Sequence, residues 1–394
     1  MDHLLKVAER AAIPPFHVMD VLSAANARQR AKGDMISLAA GQPSAGAPKP
    51  VREAAAAALV EDNLGYTEQL GIPELREAIG RHYELRYDME VFAKDVTGQD
   101  VVVTTGSSGG FLLAFLAAFD AGDRVAVVRP GYPAYRNILA ALGCQVVELP
   151  CGPDTRFQPT VAMLDELDPI DGLVIASPAN PTGTMLAPAE LSAIVQWCSE
   201  RGVQLVSDEI YHGISYGAET WSACQYSEEA VVVNSFSKYF AMTGWRLGWL
   251  LVPPRLRRAV DCLTGNFTIC PPALAQRAAV AAFEQAAIDE LDGHVERYRV
   301  NRDRLLGALT ELGIDKVAPV DGAFYAYADV SHLTHDSMSF CQRLLADTGL
   351  AIVPGIDFDP VDGNRSVRFS FAGSTEDVDE GIARLAGWLG TRAP

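Results

Sequence analysis

From about Val51 onward, short β-branched runs alternate with longer Ala/Leu-rich segments of helical period. This alternation confines the chain to an α/β fold with mostly parallel strands joined by crossover helices. Strands are expected over Val101–Thr104, Arg124–Val128, Gln145–Leu149, Gly172–Ala176, Val203–Ser207, Ala230–Asn234 and Leu247–Val252. Helices are expected over Phe111–Phe119, Ala134–Leu142 and Pro188–Arg201, the last with proline in its first turn, where a missing N–H costs little. After Val252 the pattern changes: Arg255–Leu263, Ala273–Gln285 and Leu291–Leu312 read as helices. A smaller α+β unit follows, with strands near Ala323–Ala328, Ala351–Val353 and Ser366–Phe371 and helices near Ser337–Asp347 and Thr375–Leu389. The expected division is an N-terminal arm joined to part of the small domain (1–47), a large domain with a mostly parallel sheet sandwiched by helices (48–287), and a small C-terminal domain (288–394). At 394 residues such a chain needs no disulfide or metal to staple it.

Charge narrows the partners. Asp and Glu total 50 against 32 Lys and Arg, a net charge of -18, the wrong sign for nucleic acid or an anionic membrane surface. The seven cysteines are scattered without a C-x-x-C pair, so no metal site is indicated and a reducing, cytoplasmic location is expected. The N-terminal stretch lacks an apolar signal core, and the apolar run Phe111 to Phe119 is too short to span a bilayer. Lysine is scarce: between Lys94 and Lys316 the only one is Lys238.

That lysine lies in SFSKYFAMTGWRLG, residues 235–248, between two strand-like runs. A lysine there is ordinarily a solvated loop residue; the alternative is an amine whose partial desolvation favours imine formation with an aldehyde, with Ser235, Ser237 and Arg246 as donors to a phosphate on the same molecule. In VSDEIY, residues 206–211, the acids fit a cap or a salt bridge. Beside such a lysine, Asp208 would instead keep a pyridine nitrogen protonated, and Tyr211 would bond the ring's phenolic oxygen. ASPANPTG, residues 176–183, is a common turn, or a turn in which Asn180 donates to that same oxygen and helps hold a carboxylate. TTGSSGGF, residues 104–111, places Ser107 and Ser108 at a helix start, a ready anion site but no Walker loop.

These segments, with VRFSF at 367–371, occur in one order from about Gly41 to Phe371 and together resemble the fold-type I pyridoxal-phosphate enzymes, specifically the class I/II aminotransferases. The resemblance implies the fold of that group and pyridoxal 5'-phosphate as cofactor. It implies that Lys238 binds the cofactor covalently and carries the proton. Asp208 then partners the ring nitrogen, Tyr211 and Asn180 the ring oxygen, and Tyr132 stacks on the ring. Ser107, Ser108, Ser235, Ser237 and Arg246 would hold the phosphate, and Tyr66 would reach the phosphate of a neighbouring subunit, building the site at a homodimer interface. Arg368 would grip the substrate α-carboxylate as a bidentate fork, with Gly41 closing over it. A clamped carboxylate leaves Cα–H as the bond to break, which favours transamination.

One bacterial branch of aspartate aminotransferases neutralises a distal carboxylate with a lysine in the phosphate loop, where this chain has Ser108. A neutral or aliphatic amino donor, alanine or valine, with pyruvate as acceptor is therefore expected, and aspartate is the alternative. A C–S β-lyase would use the same lysine, aspartate and phosphate cup. A ligand-sensing module of a DNA-binding regulator is disfavoured by the acidic charge and the short N-terminal arm.

Overall fold

The computed structural model describes residues 6–87 and 96–391; Lys94 and the first five residues of the arm lie outside the described residues. Helices α1 (His17–Lys32), α2 (Lys49–Glu61) and α3 (Pro73–Arg86), with the short strand β1 (Ile36–Ser37), precede the main sheet. Then come β2 (Val101–Thr104), α4 (Gly106–Ala118), β3 (Arg124–Arg129), α5 (Pro133–Leu142), β4 (Gln145–Pro150), α6 (Val161–Asp165), β5 (Gly172–Ala176), α7 (Pro188–Arg201), β6 (Gln204–Asp208), β7 (Val231–Ser235) and β8 (Gly248–Leu251). The chain closes with α8 (Arg257–Phe267), α9 (Ala273–Ala279), α10 (Gln285–Glu311), β9 (Tyr325–Asp329), α11 (Ser337–Thr348), β10 (Leu350–Ala351), β11 (Val353–Pro354), β12 (Ser366–Ser370) and α12 (Thr375–Gly390).

The seven-stranded sheet has the order β2-β8-β7-β6-β5-β3-β4. Strands β3 to β7 pair in parallel, and β8 runs antiparallel between β2 and β7. Strand period explains why it is buried on both faces: Val101, Val103, Val232 and Leu251 enter one core, while the intervening Val102, Val231, Val233 and Leu250 enter the other. The expected α/β class with a mostly parallel sheet between helices is the one adopted. Helix stops follow local chemistry: α5 and α7 begin on Pro133 and Pro188 and end at Gly143 and Gly202, whose φ of 89° and 68° suit glycine.

A three-stranded antiparallel sheet, β11-β12-β9, and a parallel pair, β1-β10, form the second sheet region. Val18, Val21 and Ala25 of α1 pack against Tyr327, Leu345, Val353 and Phe358, so the start of the chain folds back onto its end.

Several elements differ from expectation. The region from Ala273 to Gln285 is not one helix: α9 gives way to a 3-10 turn at Val280–Phe283, and α10 begins at Gln285. The expected strand Ala351–Val353 divides at Ile352 into β10 and β11, which join different sheets. Helices α1 and α3 lie outside the segments with a helical pattern in the sequence. In α1 only Val18, Val21 and Ala25 are buried, too narrow a stripe to announce a helix.

The sheet also sets a close approach that a glycine permits. A Cβ on Gly248, at the start of β8, would lie 2.8 Å from Asn234 O and 2.9 Å from the backbone of Gly106 and Ser107. The first turn of α4 thus rests directly on β8. Gly248→Ala is expected to cost about 1–3 kcal/mol through backbone displacement, seen as a lower urea midpoint at unchanged slope.

Candidate active site

Parallel strands deliver their loops to one edge, outside their carboxyl ends, where α/β sheets place ligands. A cavity of about 800 Å³ opens there. Ser107 and Ser108 reach it from the start of α4, Tyr132 from the loop after β3, and Asn180 from the loop after β5. Asp208 ends β6, Ser237 and Lys238 follow β7, Arg246 precedes β8, Arg368 projects from β12, and Gly41 comes from the segment after β1. Residues spread over more than three hundred positions are thereby brought to one hollow.

At one end lies a cup of donors. Ser107 and Ser108 stand in the first turn of α4, where main-chain N–H groups lack helical partners. Gly106 has φ +72°, and a Cβ there would come within 2.5 Å of the Arg246 guanidinium. Arg246 Nη1 donates to Thr243 O at 3.1 Å. Ser235 is not among the residues lining the cavity: its Oγ accepts from Ser237 N at 3.0 Å and donates to Leu247 O at 3.2 Å. The hydroxyl serves the turn that carries Ser237 and Lys238.

Asp208 and Lys238 occupy the floor. Asp208 is 3% exposed, its Oδ1 accepting from Ile210 N at 3.1 Å and its Oδ2 from the Tyr135 hydroxyl. Burial pushes its pKa up to about 6, against the pull of those hydrogen bonds and of Lys238. Neither hydrogen bond comes from a cation. Lys238 Nζ donates to Gly41 O at 2.7 Å. Burial, then the Arg368 guanidinium, lowers its pKa to about 8. Tyr211 Oη shares a hydrogen bond of 2.8 Å with Tyr325 Oη, and desolvation holds the Tyr211 hydroxyl well above its ordinary pKa. Tyr132 packs edge-on against Tyr135, ring centroids 5.3 Å apart, and burial raises its pKa to about 12.

Arg368 closes the opposite side and is 2% exposed. Its Nη1 donates to Asn180 Oδ1 at 2.8 Å and its Nη2 to Ala39 O at 3.0 Å, while Nε has no hydrogen-bond partner among the described residues. The guanidinium is sandwiched between Tyr325, at 4.2 Å from the ring centroid, and Phe358, at 4.8 Å. Arg365, its neighbour in sequence, is exposed and paired with Asp362 instead.

Tyr66 is not brought to this cavity. It is 84% exposed, on the loop between α2 and α3. Four features escaped sequence reasoning: Tyr135, Tyr325, Phe358 and the wall formed by Phe16, Val18, Met19 and Leu22 around the start of α1. Tyr135 carried a signal, since it follows Tyr132 by three residues at the start of a proline-led helix. Nothing local marked the others, which meet the site only through tertiary packing.

The comparisons agree with this geometry. A family model described as aminotransferase class I and II matches residues 33–385. Valine–pyruvate aminotransferase of Mycobacterium tuberculosis is 62% identical over 387 residues, 98% of each chain. The crystal structure of an aminotransferase from the same organism superposes with a TM-score of 0.95 at 62% identity, covering 98% of this chain and 100% of that one. Aspartate aminotransferase from Thermus thermophilus, solved with maleate, gives 0.91 at 33% identity, with 98% and 100% covered. A match of this extent leaves the family in no doubt: the chain belongs to the class I and II aminotransferases, pyridoxal-phosphate enzymes that move amino groups between amino acids and 2-oxo acids.

Proposed function

We propose that this aminotransferase acts on neutral, aliphatic L-amino acids, valine or alanine, with pyruvate as amino acceptor. The carrying observation is the charge of the cavity. Its cations among the described residues are Lys238, Arg246 and Arg368, and the wall from α1 presents Phe16, Val18, Met19 and Leu22. Once amine, phosphate and α-carboxylate have taken those three, a distal carboxylate would face apolar side chains, and burying it unpaired costs several kcal/mol. The valine–pyruvate activity named for the Mycobacterium tuberculosis relative supports the same reading.

The donor set fits pyridoxal phosphate. Ser107, Ser108, Ser237 and Arg246 would hold the phosphate, and Gly106 supports this because a side chain there would fill the cup. Asp208 would hold the protonated ring nitrogen; its burial without a cationic hydrogen-bond partner is what such a ring would relieve. Asn180 and Tyr211 would bond the ring oxygen and Tyr132 would cover the ring. Bound there, the cofactor supplies an aldehyde for amines and a ring that accepts the electron pair left at the substrate α-carbon.

The chain's own part is positioning and proton transfer. Arg368, its plane clamped by two aromatic rings, presents a fork for the α-carboxylate. Lys238 Nζ would take the proton from the substrate α-carbon and carry it, a task suited to an amine whose pKa lies near 8. Asp208 would keep its negative charge beside the ring nitrogen, since a cation there offsets the burial that raises its pKa.

We further propose a homodimer in which Tyr66 of one subunit reaches the phosphate of the other. Support comes from its 84% exposure on a loop tied down by Gln276 Nε2 donating to Thr67 Oγ1 at 3.0 Å and Gln69 Nε2 to Asp261 Oδ1 at 2.7 Å. The seven cysteines are free, which suits a reducing, cytoplasmic setting, and no helix among the described residues is long and apolar enough to cross a membrane.

Half-reactions followed by cofactor absorbance are expected to run fastest with valine or alanine and slowest with aspartate and glutamate. Fastest conversion of aspartate overturns the neutral-substrate reading, and release of pyruvate and ammonia from cystathionine without an acceptor would favour the β-lyase. Lys238→Ala is expected to retain cofactor through the phosphate cup while turnover falls by about a thousandfold or more. Cofactor uptake by the apoenzyme requires neutral Nζ. Its rate should therefore rise about tenfold per pH unit and level off above about 8, the lowered pKa of Lys238; a rise continuing beyond pH 10 would show an unshifted lysine.

A further inference from the structure

Helix α1 starts from Phe16, which offers no side-chain oxygen as a cap. Its first free N–H groups are taken by a residue about 340 positions away. Asp357 Oδ1 accepts from His17 N at 3.1 Å and Oδ2 from Val18 N at 2.8 Å. Asp357 is 1% exposed, and its charge sits against the positive end of the helix. The backbone around it is fixed separately: Arg136 Nη2 donates to Asp357 O at 2.6 Å, and Gly131 N donates to Phe358 O at 3.1 Å.

The next side chain, Phe358, is one of the two rings clamping Arg368. A single step along the chain therefore joins the guanidinium assigned to the α-carboxylate with the helix whose apolar side chains line the same cavity. Phe16 lies edge-on to Tyr132, ring centroids 5.9 Å apart, and Val18, Met19 and Leu22 follow along the cavity wall.

We infer that Asp357 is a positioning residue for side-chain specificity: capping α1 from a distant segment, it holds the apolar wall at a set distance from Arg368, so that a branched aliphatic side chain meets that wall. This rests on the aliphatic specificity proposed above. A cap that served folding alone would leave the discrimination between substrates unchanged.

The test compares the unaltered holoenzyme with Asp357→Ala and Asp357→Asn, measuring kcat and KM for valine and alanine and hydrogen exchange over residues 17–22. In Asp357→Ala the valine-to-alanine ratio of kcat/KM should fall about tenfold, the worth of two further carbons meeting the wall. That loss should appear mainly in the KM for valine, and exchange over the first turns of α1 should quicken while exchange elsewhere holds. Asp357→Asn keeps one acceptor and should recover a good part of the ratio. An unchanged ratio, or equal losses for both amino acids, overturns the inference. If Asp357→Ala does not fold, the sign of the ratio change in Asp357→Asn decides the matter. If valine is no substrate of the unaltered enzyme, the aliphatic reading fails on its own; the exchange measurement then upholds the cap if exchange quickens and removes it if exchange does not.

Discussion

Arg368 is a charge kept in the interior, and much of the site is arranged around it. A guanidinium withdrawn from water needs acceptors and flat neighbours. Arg368 finds an amide oxygen on Asn180, a carbonyl on Ala39, and the rings of Tyr325 and Phe358. Those partners come from the segment after β1, the loop after β5, β9 and the turn after β11. Holding one fork in place thus ties the end of the arm to the main sheet and to the second sheet region.

Burial acts on the floor of the site in two directions. It raises Asp208 to about 6 and lowers Lys238 to about 8, disfavouring the charged form of each. For Lys238 this supplies a neutral amine near physiological pH. For Asp208 it leaves a buried carboxylate that takes neither of its hydrogen bonds from a cation. The tyrosines around them, Tyr132, Tyr135 and Tyr211, all have pKa values raised by desolvation, so they remain hydroxyl donors.

The legible part of the site lay in contiguous segments. Lys238, Asp208, Tyr211, Asn180, Ser107 and Ser108 each sit within a few residues of a strand end or helix start, and short-range pattern locates such positions. The same pattern does not show that the Ser235 hydroxyl also accepts from the turn N–H of Ser237 two residues on. It also missed Tyr325 and Phe358, which read as core residues of a β-rich region and acquire a role only by stacking on Arg368. Helix α1 was missed for a related reason: its buried stripe is narrow and its cap is supplied from Asp357.

By itself the sequence determined the alternation of strands and helices, the α/β class, and the presence of an amine, a carboxylate and hydroxyls at the strand ends and helix start that line the cavity. These follow from local propensity, side-chain period and residue type. Tertiary structure alone decided which surfaces line the cavity: that α1 folds back to form an apolar wall, that Asp357 caps it, and that no fourth cation among the described residues lines the cavity. The physical reason is range. A strand end is set by its neighbours along the chain, whereas a wall is set by packing between segments hundreds of residues apart, and no local pattern encodes which of them will meet.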